Sequence, residues 1–124
     1  MAEVNVLVVE DEPDMLEALR IRLESIGFGV ITAADGLEGL QKARAENPDL
    51  MILDIMLPKM DGFKVCRMLK FDQKFKSIPI ILLSAKSSER DLEMGKEVGA
   101  DAYLTKPFRT QELLKVIKDL LSKK

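Results

Sequence analysis

A chain of 124 residues is the size of one compact domain, long enough to bury roughly two-thirds of the surface it exposes when unfolded. Apolar residues make up 47% and charged residues 32%, which excludes both a disordered tail and a membrane-embedded bundle. The 19 basic and 21 acidic residues are scattered and leave a net charge of -2, so there is no broad positive field, and direct nucleic-acid binding by this domain is not expected.

In chain order, Val4 to Val9 is a β-branched run that stops at Glu10-Asp11-Glu12-Pro13, the pattern of a buried strand delivering acids to its C-terminal end. Pro13 suits a first helical turn, and Leu16, Leu19, Leu23 and Ile26 form one apolar stripe before Gly27. Phe28 to Thr32 reads as a second strand. Asp35-Gly36 turns into a helix carrying Leu37, Leu40 and Ala43, which Asn47-Pro48 closes. Leu50 to Leu53 is a third strand, apolar on both faces and so central in a covered sheet, and it stops at Asp54. Beyond Pro58 and Asp61-Gly62, a helix runs through Val65, Met68 and Leu69 to a fourth strand, Ile78 to Leu83, which ends at Ser84. Ser88 to Val98 reads as a weaker helix, and Gly99-Ala100 turns into a short strand from Asp101 to Leu104. Lys106-Pro107 precedes a last helix with Leu113, Leu114, Ile117, Leu120 and Leu121. Five strands alternating with five helices on short connections predict a doubly wound parallel α/β sheet, one domain over residues 1–124.

Cys66 is the only cysteine, so no disulfide framework exists within the chain and a reducing cytoplasmic setting is expected. Its apolar neighbours mark it as a buried residue rather than a reactive thiol. Met1-Ala2-Glu3-Val4 has no basic stretch before an apolar run, and no run approaches the length of a membrane span, so no export signal or membrane partner is expected. Histidine is absent, which leaves carboxylates, hydroxyls and amines to do any chemistry.

In a doubly wound sheet, functional groups gather at the carboxyl ends of the strands, where strand order reverses. Glu10 and Asp11 follow the first strand, Asp54 the third, Ser84 the fourth and Lys106 the fifth. If the first and third strands are neighbours, three carboxylates share one crevice. They then require a cation, a protonated member or both. Oxygen-only donors without His or Cys suit Mg²⁺, with Mn²⁺ as the alternative. Lys106 offers a point charge to a phosphoryl oxygen and Ser84 a hydroxyl donor. Singly, each residue has an ordinary structural role: Glu10 to Glu12 as helix-end acids, Asp54 as a loop acid, Ser84 as a cap, Lys106 as a solvated charge. Four strands placing complementary groups at one edge is what argues for a site.

These residues resemble the response-regulator receiver family over essentially the whole chain. The matching segments are Val8-Val9-Glu10-Asp11, Leu53 to Pro58, Met60-Asp61-Gly62, Leu83-Ser84-Ala85, Gly99 to Tyr103 and Lys106-Pro107-Phe108, with 30 residues from Asp54 to Ser84 and 22 from Ser84 to Lys106. The resemblance implies a flavodoxin-like sheet of order 2-1-3-4-5 in a two-component signalling switch. Asp54 is the implied nucleophile, forming an aspartyl phosphate with a phosphoryl group from a histidine kinase, a phosphotransfer protein or a small donor. Asp11, Asp54 and the Met56 backbone carbonyl are the implied Mg²⁺ ligands, with Glu10 acting through water. Lys106 and Ser84 attend the phosphoryl group, and Ser84 and Tyr103 form the switch. A cis Lys106–Pro107 peptide is also implied.

The same resemblance implies a responsive surface of helix 4, strand 5 and helix 5 that controls a partner, an output domain or a phosphorylation-dependent homodimer. Kinase docking would fall near helix 1 and the loop after strand 5, on Met15, Pro107 and Phe108. Three further positions bear on output and lifetime. Ala102 stands where receivers with winged-helix outputs often carry a second Asp, and Met56 and Lys86, each two residues past a site residue, are candidates for setting phosphoryl lifetime. Among rivals, a haloacid-dehalogenase-type phosphohydrolase needs an Asp where Met56 stands, so turnover enzymology is not expected. A flavodoxin-like cofactor binder would meet repulsion from Glu10-Asp11-Glu12. A degenerate receiver that signals without phosphate would not need the full set of acids, hydroxyl and lysine.

Overall fold

The computed structural model describes residues 3–123; Met1, Ala2 and Lys124, at the bounds of the expected domain, lie outside the described residues. Five parallel strands, β1 (Asn5–Val9), β2 (Gly29–Ala33), β3 (Leu50–Asp54), β4 (Ile80–Ser84) and β5 (Ala102–Thr105), lie in the order β2-β1-β3-β4-β5. They alternate with α1 (Pro13–Ser25), α2 (Gly36–Glu46), α3 (Gly62–Lys70), α4 (Glu89–Glu97) and α5 (Thr110–Ser122). This is the doubly wound parallel sheet expected from the alternation of apolar runs and amphipathic segments, in the flavodoxin-like strand order that the resemblance implied.

Alternation along each strand divides the core in two. Leu7, Val9, Met51, Leu53, Ile80 and Leu82 face one layer, where Leu40 and Ala43 of α2 and Val65, Cys66 and Leu69 of α3 pack. Val6, Val8, Leu50, Ile52, Ile81 and Leu83 face the other, against Leu19 and Leu23 of α1 and Leu113 and Ile117 of α5. β3 and β4 are buried along their whole length, which explains their uninterrupted apolar sequence.

Local chemistry sets the element ends. Pro13 occupies the first turn of α1, where its missing N–H costs nothing. Asp35, Asp61 and Ser88 each accept a backbone N–H at the start of α2, α3 and α4, and Asn47 closes α2 in the left-handed region at φ 46. β4 begins at Ile80, two residues later than the apolar run suggests. Pro79 cannot donate to the ladder, although its carbonyl accepts from Met51 N–H at 2.9 Å. Some residues assigned to apolar stripes are not core: Ile26, just past the end of α1, is 48% exposed, and Leu37 and Met68 lie at the outer margins of their helices.

Candidate functional site

Register carries the site residues to one edge. Val9 pairs with Leu53, so the next residues along, Glu10 and Asp54, stand side by side where the chain leaves β1 toward β2 on one flank and β3 on the other. Asp54 pairs with Leu83, which puts Ser84 one step beyond it. Ser84 pairs with Thr105, and the Lys106 N–H donates to the Ser84 carbonyl at 2.8 Å. β3 thus ends one step past β1 and β4 one step past β3, while β5 ends level with β4 and Lys106 follows it.

Glu10 and Asp54 are buried and Asp11 is exposed at the rim, and one carboxylate oxygen from each lies within 4.8 Å of the others. Lys106 reaches across the sheet to this cluster. Its Nζ is 2.9 Å from Glu10 Oε1 and 3.2 Å from Asp54 Oδ2. Burial pulls the ammonium down, but the hydrogen bond with Glu10 and the charges of Asp54 and Glu10 outweigh it and hold Lys106 above the usual lysine range. The other oxygens are also engaged: Asp54 Oδ1 accepts from Ile55 N–H at 2.8 Å and Glu10 Oε2 from Glu12 N–H at 3.1 Å. Three acids at these distances with one lysine carry excess negative charge, and their hard oxygen donors fit a divalent cation of the Mg²⁺ type.

The other expected residues fall into three places. Ser84 is buried at the end of β4, and its Oγ accepts from Lys86 N–H at 3.1 Å. Met56 is exposed and lines a crevice of about 580 Å³ with Asp11, Asp61, Phe63 and Lys86. Tyr103 on β5 donates its hydroxyl to the Lys86 carbonyl at 2.7 Å, while its ring lies against buried Gly95 of α4.

The Lys106–Pro107 peptide is cis. Met15, Pro107 and Phe108 line a largely apolar cavity of about 470 Å³ together with Leu19 of α1, Leu113 and Leu114 of α5, and Lys106 of the acidic site. Sequence reasoning did not anticipate the Glu10–Lys106 ion pair or the Tyr103–Lys86 hydrogen bond. Both depend on where partners 96 and 17 residues apart meet, which no local pattern reports. No helix among the described residues is long and apolar enough to cross a membrane.

Comparison with known proteins agrees with this geometry. The family described as response regulator receiver domain matches residues 6–118. PhoP of Bacillus subtilis, an alkaline phosphatase synthesis transcriptional regulatory protein, is 47% identical over 94% of this chain and 48% of its own length. Protein PilG of Pseudomonas aeruginosa is 40% identical over 93% of this chain and 85% of its own. The chain thus spans about half the length of several transcriptional regulators it matches, but most of PilG. Among solved structures, a putative response regulator from Chloroflexus aurantiacus superimposes with a TM-score of 0.91 at 35% identity, covering 98% of this chain and 99% of that one. Strand order, edge chemistry and family match coincide, and the chain belongs to the response regulator receiver domain family.

Proposed function

We propose that this receiver domain, residues 1–124, is a phosphorylation-dependent switch of a two-component system that takes a phosphoryl group onto Asp54. The observation that carries this reading is Lys106 bridging Asp54 and Glu10 while Asp11 stands at the rim of the same acidic crevice.

Asp54 is the nucleophile: one carboxylate oxygen forms a bond to phosphorus as the bond to the leaving group breaks, and the leaving group keeps the electron pair. Asp11, Asp54 and the Met56 carbonyl would hold Mg²⁺, with Mn²⁺ as a substitute, and Glu10 would act in the same pocket through water. When bound, the ion would supply positive charge that offsets the negative charge gathered during the transfer. Lys106 moves from the Asp54 carboxylate to a phosphoryl oxygen, and the Ser84 hydroxyl donates to another. What the protein contributes is placement of charge around an in-line transfer, as expected of a self-modifying signal rather than a turnover enzyme.

Movement of Ser84 toward the phosphoryl group takes away the acceptor of the Lys86 N–H and loosens the segment whose carbonyl holds Tyr103. The ring then turns inward and the α4, β5 and α5 surface changes. Shifting such an equilibrium from mostly off to mostly on takes ~5.5 kcal/mol of differential interaction, which a few charge-assisted contacts supply. The donor is a histidine kinase or phosphotransfer protein in the cytoplasm, docking on Met15, Pro107 and Phe108. The changed surface controls a partner, an output domain or a second copy of the domain.

Intact-mass measurement after incubation with acetyl phosphate tests the reading. One phosphoryl adduct is expected with Mg²⁺, and none with EDTA or in Asp54→Asn. An unmodified wild-type protein with Mg²⁺ present would point to a receiver that signals without phosphate.

A further inference from the structure

The start of α2 lies against the β3–α3 loop, residues 55–61, more closely than ordinary packing allows any side chain to do. Gly36 N–H donates to the Pro58 carbonyl at 3.2 Å. A Cβ on Gly36 would stand 1.7 Å from the Met60 carbonyl oxygen and 2.6 Å from its carbon, so either the loop backbone or the helix must move. Asp35 works on both sides of the contact. Its Oδ1 accepts from Glu38 N–H at 2.7 Å and caps α2, while Oδ2 faces Lys59 Nζ at 3.4 Å. Lys59 itself sits in the left-handed region at φ 67.

The loop's other end is held from within. Gly62 N–H donates to the Ile55 carbonyl at 2.8 Å, and a Cβ there would stand 2.2 Å from the Asp54 carbonyl oxygen. Between these anchors lies Met56. Among the described residues no hydrogen bond ends on the Met56 carbonyl, although the carbonyls of Ile55 and Pro58 are both engaged. Among the described residues the carbonyls of Leu57, Lys59 and Met60 also accept no hydrogen bond, but Met56 lies between the two anchored stretches and lines the crevice together with Asp11.

We propose that the Asp35–Gly36 start of α2 is a positioning element for the metal site, seating Pro58, Lys59 and Met60 so that the Met56 carbonyl faces the ion held by Asp11 and Asp54. The inference rests on the metal reading given above. Neither Asp35 nor Gly36 touches the ion or the phosphoryl group; both act through the loop backbone. Glycine is needed at position 36 for the close approach, since alanine would otherwise favour the helix.

The test is the Mg²⁺ dissociation constant by calorimetry, without phosphoryl donor, at a temperature where each variant is fully folded. Gly36→Ala is expected to bind about tenfold more weakly or worse, the scale typical of residues that orient a ligand without touching the metal. Lys59→Ala, which leaves the backbone contact intact, should bind about two- to fivefold more weakly, with Lys59→Arg close to wild type. Ile117→Val, in the core layer on the opposite face of the sheet, loses stability but keeps the wild-type constant. A folded Gly36→Ala with wild-type affinity overturns the proposal. If that variant does not fold, an unchanged constant in Lys59→Ala overturns it instead. Wild-type protein that binds no Mg²⁺ would overturn the metal reading itself.

Discussion

Replacing Asp11 with Asn removes one of three negative charges from the crevice and leaves its shape nearly unchanged. Asp11 has an oxygen within 4.8 Å of oxygens of both Glu10 and Asp54. At that separation each pair repels by roughly 0.9 kcal/mol at the dielectric of water and about 3.5 kcal/mol at an effective dielectric near 20. Asp11 is exposed, so the lower figure governs. Two such pairs, less some attraction to Lys106, leave a net gain of about 1–2 kcal/mol for the metal-free variant. For a domain of this size that raises the melting temperature by roughly 4–8 °C.

The assay is thermal unfolding in EDTA and then in millimolar Mg²⁺. In EDTA, Asp11→Asn should melt above wild type. Added Mg²⁺ should raise wild type more than the variant and narrow the gap, because a ligand stabilises only the state that binds it. Salt should narrow it in EDTA as well. A variant that melts at or below wild type in EDTA would refute mutual repulsion among the three acids.

Other consequences are as direct. Burial pushes the Cys66 thiol up to about 12 from 9.0, so at pH 8 its reaction with a disulfide reagent should be about 10³-fold slower in the native protein than in urea; rapid native labelling would contradict its place in the core. Tyr103 is the only tyrosine and there is no tryptophan, so tyrosine emission reports this ring alone. Phosphorylation should change that emission in wild type but not in Asp54→Asn. Gly95→Ala, whose Cβ would come within 2.9 Å of Tyr103 Cδ2, should alter it before any phosphorylation. Met56 and Lys86 border the same crevice, so replacing both with small polar residues should change the dephosphorylation rate, read by mass decay after donor removal; an unchanged rate removes them from control of water access.

Much of the edge was legible in the sequence because strands buried on both faces are apolar until they stop. Asp54 and Ser84 each end such a run and each closes its strand, so a reader of the sequence meets them at the point where the site begins. What local pattern could not supply was anything set by register or by approach between distant backbones. Lys106 is a charged residue before a proline until β4 and β5 align it with Glu10 across the sheet. Gly36 reads as half of a turn, and only the fold shows that the Met60 backbone occupies the space where its side chain would go. Leu37 and Met68 fit a helical stripe but fall at its margin, since two neighbouring helices cover less than the full apolar arc.

The proposed switch requires that Asp54, and no other acid of the crevice, receive the phosphoryl group. Borohydride reduction of the phosphorylated protein converts an acyl phosphate to the alcohol with loss of phosphate, leaving homoserine in place of aspartate, and peptide mass spectrometry then locates it. Homoserine is expected at position 54 alone, formed only when Mg²⁺ was present with the donor. Reduction product at Glu10 or Asp11, or at position 54 without the metal, would contradict the proposed switch.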